Sequence, residues 1–365
     1  MKGRWGQVGA CLLCVGALVI SALGMSSTLG GRLALAISRP GIHSGGSVSL
    51  EAFVSLLMPN HVGSNGNNPI FSGTFWESFF ERPTSTDAIW ETLAQDEEFA
   101  PLSGEGLYSV VPTDLHPDDS SGYQSWNGGY IRNKSIMDFD LPTLMQQPLD
   151  LGNKSDGPQV LIFHTHSRES YNDTGEVFAQ PEVTHNNDTA KSVVAVGDVL
   201  KQTLEAQGIS VIHSTEIYDS TYTGAYARSD AAVAAILEQY PSIRVVLDLH
   251  RDAVYTGDGG KYRPVVEKDG MDVAQIMILA GTGNDNDDVN PHWQDNIRFG
   301  LTLQSEVEKV CPGISRAMMV RTSTYNQNRS KGALLIEVGT TGNTLTEAKR
   351  RGALLGSLVL VEVAR

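Results

Sequence analysis

The stretch "VLIFHTHSRESY", Val160 to Tyr171, decides how this chain folds. Four apolar residues run straight into two histidines, an arginine and a glutamate. A short unbroken apolar run is what a strand buried on both faces requires, so the titratable groups stand at the carboxyl end of such a strand. The pattern returns downstream. "ISVIHST", "IRVVLDLH", "AQIMILAG" and "GALLIEVG" read as further strands, separated by "DTAKSVVAVGDVLKQTLEAQG", "ARSDAAVAAILEQYP" and "NIRFGLTLQSEVEKV", whose apolar residues recur at helical spacing. Gly208 is a helix stop, and "LTEAKRRGALLGSLVLVEVA" is a closing helix. Strands alternating with helices predict an α/β domain, a mostly parallel sheet flanked by helices. Ligands in such sheets gather at the carboxyl ends of the strands. The endings "FHTHSRE", "DLHRD" and "IEVG" therefore deliver His, Asp and Glu to one edge.

The rest of the chain sets the limits. Hydrophobic content of 41% against 19% charged residues describes a globular protein. A net charge of −15 excludes a nucleic-acid partner, since no basic surplus exists to displace counterions. Lys2 and Arg4 precede an uncharged run from Val8 to Met25. Such a run can span a bilayer, which needs roughly 17–25 apolar residues, and the positive flank keeps the remainder outside the cytoplasm. A cleaved signal peptide, with small residues near Ser21–Gly24, is the rival reading. Cys11 and Cys14 lie inside this run and read as small apolar residues; Cys311 stands alone, so the exported part has no structural disulfide. The expected organisation is an anchor over 1–25, a poorly structured extracytoplasmic linker and partly ordered region over 26–157, and a catalytic domain over 158–365.

The chemistry at the strand ends suggests zinc. A catalytic zinc site takes three protein ligands and leaves a position open. His166 and Glu169 form an H-x-x-E step after the first strand, and His250 ends another. Together they make a His₂Glu set, with Glu337 as general base for the attacking water. His164 competes with His166, because residues two apart on a strand share a face. Asp248 or Asp252 can orient a ligand histidine; Arg168 and Arg251 can hold a substrate carboxylate or pair with those acids. Taken one at a time, each of these residues has an ordinary structural explanation. His213 lies mid-strand, and His43, His61, His116, His185 and His292 lie in loop-like, solvated sequence. "GTGN" at Gly281 lacks the Lys and spacing of a phosphate loop and reads as a turn. Only the joint placement at strand ends favours a site.

"VLIFHTHSRESY", "SVVAVGDVLKQTLEAQGISVIHS", "YARS", "VVLDLHRDA" and "LLIEVGTTGN", with "YIRNKSIMDFDLPTLMQQPLDL" ahead of them, resemble the stage II sporulation protein P family over roughly residues 128–365. The resemblance implies a membrane-anchored peptidoglycan hydrolase with a zinc amidase or carboxypeptidase-like fold. It implies cleavage of the N-acetylmuramoyl–L-alanine amide, with endopeptidase activity on stem peptides, in the septal space during spore engulfment. It also implies two partners, sporulation protein M in the membrane and the lytic transglycosylase sporulation protein D. Laid over "VLIFHTH", it selects His166 over His164 and matches His250 and Glu337 to the second histidine and the catalytic glutamate. For the acidic ligand it favours Glu169, with Glu176, Glu182 and Asp188 as later alternatives. The competing functions are a zinc carboxypeptidase acting on stem peptides and a non-catalytic wall-binding adaptor.

Overall fold

The computed structural model describes residues 85–364 apart from 95–98, 100–101, 153–154, 181 and 285–287. The expected anchor and most of the expected linker lie outside the described residues. Among the described residues no helix is long and apolar enough to cross a membrane.

In chain order, helix α1 (Ser85–Thr92) precedes β1 (Leu107–Thr113), β2 (Gln124–Trp126), β3 (Gly129–Asn133) and α2 (Leu141–Gln146). Next come β4 (Val160–Phe163), β5 (Val177–Ala179), α3 (Val193–Ala206), β6 (Val211–His213), α4 (Ala225–Gln239) and β7 (Val245–Asp252). The chain continues through β8 (Lys261–Lys268), β9 (Met271–Ala274) and β10 (Ile276–Gly281). It ends with α5 (Trp293–Val310), β11 (Met318–Arg321), β12 (Gly332–Thr340) and α6 (Leu345–Ala364).

The apolar strands form the middle of an eight-stranded sheet ordered β2–β3–β11–β10–β12–β7–β4–β6. Alternate residues of β4 enter different cores, as the two-residue period of a strand requires. Val160 and Ile162 join the larger core with Val196, Leu200 and Leu204 of α3. Leu161 and Phe163 join a smaller one with Val233 of α4. Helix α3 starts at Ser192, whose side chain accepts from the Val194 N–H, and stops before Gly208 at φ +81°. That is an N-cap and a left-handed terminator in the positions their chemistry favours.

The sheets are mixed, which corrects the mostly parallel arrangement expected. In the principal sheet β2–β3 and β10–β12 are antiparallel, against parallel pairing elsewhere. A second sheet, β5–β1–β8–β9, has only its β1–β8 pair parallel. The cause lies in "VVEKDGMDVAQIMILAG". Asp269 and Gly270 both have positive φ, 54° and 77°, so they close the two-residue β8–β9 hairpin, the connection that Asp-Gly favours. The chain thus passes from β7 through β8 and β9 to β10 with no helical crossover, and β10 lies antiparallel to β12, which is itself parallel to β7.

Candidate active site

The centre of the site is a register. On adjacent central strands His250 of β7 and Glu337 of β12 are directly paired at their Cα positions, so the two side chains leave the sheet together. Asp248, two residues before His250, faces the same way, as the strand period requires. Its Oδ1 lies 2.9 Å from His250 Nε2. The contact is within ion-pair range but off the line of an N–H bond, and Nε2 has no hydrogen-bond partner.

Asp248 also builds the turn after β4. Its carboxylate accepts from the Thr165 N–H at 2.8 Å and the Thr165 hydroxyl at 2.7 Å. The strand ends at Phe163, and this turn separates the two histidines that a longer strand would have kept on one face. His164 continues the inward alternation of β4. It is wholly buried, with Nδ1 donating to the Leu249 carbonyl at 3.0 Å and Nε2 2.8 Å from His213 Nε2. His213 in turn meets Asp198 at 3.0 Å. Gly197 of α3 makes room for this pair: a Cβ there would lie 2.5 Å from His213 Nε2 and 2.7 Å from His164 Nε2. His166 instead turns toward His250, with ring centroids 5.4 Å apart. It stacks flat on Tyr222 at 4.7 Å and meets Tyr226 edge-on at 5.7 Å. His166 Nδ1 is buried without a partner.

Glu169 completes the cluster from the loop that follows. Its Oε2 lies 3.4 Å from His250 Nδ1 and accepts from the Arg251 N–H at 3.1 Å. Bridges from Glu169 to His185 and from Ser170 to Ser192 hold this loop down. Against the cost of burial, His250 and Arg251 keep the Glu169 carboxyl down at about 2. His250 moves the other way: burial opposes its charge, yet Asp248 and Glu169 raise it well above the usual histidine range. Burial lowers His166.

Glu337 differs from Glu169. It is half-buried, but Oε2 is out of reach of solvent and has no partner. Burial, reinforced by the Asp252 and Glu169 carboxylates, pushes it up to about 8. A structural role would pair Glu337 with Arg321 or Arg329, but among the described residues no salt bridge joins it to either, and Arg329 holds Asp230 through two bonds.

The weaker expectations fare differently. Asp252 pairs with Arg316 at 2.8 Å, so the carboxylate facing His250 Nε2 is Asp248. Arg251 is buried and committed to the loop, donating to the Ser170 and Thr184 carbonyls at 3.0 and 2.8 Å. It ties down Glu169 and is not presented to a ligand. Arg168 contacts the Asp219 carbonyl at 3.4 Å. Glu176 is exposed, Glu182 pairs with Lys261 and Asp188 caps the turn before α3, whereas Glu169 lies 3.4 Å from His250. His116 is not simply solvated, since Nδ1 lies 2.8 Å from the Ser315 carbonyl. Tyr222 and Tyr226 were missed, although "STYTGAYARS" shows both aromatic residues.

Among the described residues no three His, Cys, Asp or Glu side chains stand gathered at metal-binding distances. The donor set nonetheless fits zinc. Two imidazoles and a carboxylate meet its preference, and the buried nitrogen His166 Nδ1 and oxygen Glu337 Oε2 lack partners. Buried polar atoms are ordinarily satisfied.

Buried imidazoles and unlike carboxylates at the strand ends of an α/β sheet define a site equipped for proton transfer. The family profile described as Stage II sporulation protein P (SpoIIP) matches residues 116–359, two thirds of the chain, and the chain belongs to that family. The stage II sporulation protein P of Bacillus subtilis (strain 168) is 27% identical over 203 residues, covering 52% of this chain and 47% of that protein. The chain thus spans about half the length of this curated relative. Solved structures that resemble it include the CwlD amidase of Clostridioides difficile in complex with the GerS lipoprotein, at 13% identity and TM-score 0.34, over 56% of this chain and 98% of that one. An N-acetylmuramoyl-L-alanine amidase from Clostridium difficile 630 matches at 19% and TM-score 0.34, over 57% and 98%. Likeness at this level does not bear on the chemistry.

Proposed function

We propose that this chain is a peptidoglycan hydrolase that cleaves the amide between N-acetylmuramic acid and L-alanine, and stem-peptide cross-links as well, during spore engulfment. The supporting observation is the pairing of His250 with Glu337, which sets a half-buried, elevated carboxyl beside the imidazoles. Membership of the Stage II sporulation protein P family supports the wall as substrate.

His166, Glu169 and His250 are the residues that would hold zinc, and the ion would polarise the scissile carbonyl and make water more acidic. Asp248 fixes the orientation of the His250 ring from the Nε2 side, the way carboxylates orient ligand histidines. Glu337 takes the proton from the attacking water and passes it to the departing L-alanine amine. Near neutral pH an elevated carboxyl sits close to the balance point that suits a group which must both accept and return a proton. Arg251 keeps the Glu169 loop closed over this arrangement.

Mass spectrometry of purified peptidoglycan after digestion tests the reading. Free L-alanine amino termini on released stems and intact muramic acid on the glycan are expected. Loss of only carboxyl-terminal residues from the stems would establish the carboxypeptidase instead, and unchanged wall would establish the adaptor.

The location proposed is the cell membrane, held by a single segment near residues 8–25, with the hydrolase in the septal space beside sporulation proteins M and D. Lys2 and Arg4 before the uncharged run support this orientation. In intact protoplasts an N-terminal tag is expected to resist added protease while the carboxyl-terminal part is digested. Mature chain free in the medium would reject the anchor.

A further inference from the structure

We propose that the cleft walled by Tyr226 and Tyr325 is a saccharide subsite that seats one pyranose ring of a glycan strand, an inference that rests on the proposed wall substrate. The cleft measures about 380 Å³, within the range of roughly 300–1,000 Å³ of small-molecule sites. Tyr226 joins it to the catalytic cluster. One side of its ring meets His166 edge-on at 5.7 Å, and Tyr325 lies 5.9 Å away. An amide at the cluster and a sugar in the cleft would therefore be neighbours.

The lining suits a sugar better than other occupants. A pyranose offers a face of C–H groups and a rim of hydroxyls, and it needs an aromatic surface with hydrogen-bonding groups around it. The cleft supplies Tyr226, Tyr325, Asp288, Thr324, Asn326 and Asn328. Among the described residues its lining includes no Leu, Ile, Val, Met or Phe for an aliphatic ligand and no Lys or Arg for a polyanion. Of its carboxylates, Asp230 is engaged by Arg329. Asp288 accepts from the Thr324 N–H at 2.9 Å and hydroxyl at 2.6 Å, which leaves each of its oxygens a lone pair for a sugar hydroxyl.

The wall is also built at a cost in conformation. Tyr325 and Asn326 are consecutive residues with φ +51° and +59°, a region that side chains disfavour. Asn326 Nδ2 donates to the Tyr226 carbonyl at 3.2 Å and Ser229 Oγ at 2.9 Å, while Gln327 takes the Gly281 N–H at 2.8 Å. The "GTGN" segment finds its use here: a Cβ at Gly281 would lie 2.1 Å from the Ser323 carbonyl oxygen. Strain held from several sides is characteristic of ligand clamps, and what this turn presents is the Tyr325 ring.

Binding of glycan strands stripped of stem peptides to the full-length chain, measured by calorimetry, tests the subsite. Tyr325→Ala is expected to weaken binding about tenfold, the scale of one lost ring contact in a packed site. Tyr325→Phe keeps the ring and should stay within about twofold. Asn328→Ala should weaken binding a few-fold and decides the matter should Tyr325→Ala not fold. Unchanged affinity in folded Tyr325→Ala, or in Asn328→Ala where that variant decides, would overturn the subsite; so would free stem peptide binding there in place of glycan. Release of L-alanine amino termini from whole wall is scored separately. Glycan binding lost as expected but no release sinks the amidase reading alone; release with a cleft indifferent to glycan sinks the subsite alone.

Discussion

Glu337→Gln is expected to lower wall hydrolysis by roughly 10²–10⁴, the usual contribution of general acid–base help, while the protein stays folded and retains the proposed zinc. Gln nearly preserves the shape of the side chain but cannot accept the proton from water. The site gives reason to expect an effect on rate and not on stability. Oε2 has no hydrogen-bond partner to lose, and Arg329, the guanidinium a structural role would recruit, is held by Asp230. Removing an elevated carboxyl from a buried position takes away no ion pair that supports the sheet. The measurements are turnover per folded molecule on purified wall, with the urea midpoint as the stability control. Near wild-type turnover in a zinc-replete, folded variant would remove Glu337 from the chemistry.

His166→Ala and His250→Ala are each expected to lose most bound zinc, and wall hydrolysis with it. His164→Ala should retain zinc at the wild-type stoichiometry. The three substitutions look alike on paper but differ in what they uncover. His250 faces Glu169 through Nδ1 and Asp248 through Nε2, so its loss leaves two buried carboxylates without their shared partner. His164 faces away, toward His213 and the Leu249 carbonyl. Its removal should cost stability, about 1–3 kcal/mol for the orphaned groups, and be felt in the denaturation midpoint. Elemental analysis of the purified variants separates the cases. Zinc loss in His164→Ala, with none in His166→Ala, would reverse the roles of the two histidines.

The α/β class and the strand endings were legible because buried central strands are short apolar runs whose polar endings stand out. His166, Glu169, His250 and Glu337 stand out in "VLIFHTHSRE", "VVLDLH" and "LLIEVG" for that reason, while the choice of His166 over His164 came from the family resemblance. The antiparallel entry of β10 does not follow from the alternation of strands and helices, although Asp269-Gly270 is a strong local hairpin signal. The short strands of the second sheet, such as Val177–Ala179, carry too few residues to show a period. The choice between Asp248 and Asp252 could not come from spacing. Both are two residues from His250, and only the continuation of β7 past the site, where Arg316 waits for Asp252, sets them apart. Arg251 stayed open between a substrate carboxylate and a nearby acid because sequence gives a charge but not its direction; it lies 3.6 Å from Glu169 and donates to two loop carbonyls.

His250 and Glu337 are neighbours on β7 and β12, two central strands of the principal sheet, whereas Glu169 arrives on a loop held by isolated bridges. These two kinds of support open on different scales, since loops unlatch locally while core strands exchange their amide protons only when the whole molecule unfolds. The site is thus half permanent and half removable. The His250–Glu337 pair lasts as long as the fold does, while Glu169 sits where the chain can open with the core intact. Removal of the proposed zinc by a chelator would then be felt through the loop from 169 to 192, where deuterium uptake would rise first while the amides of β7 and β12 stayed protected.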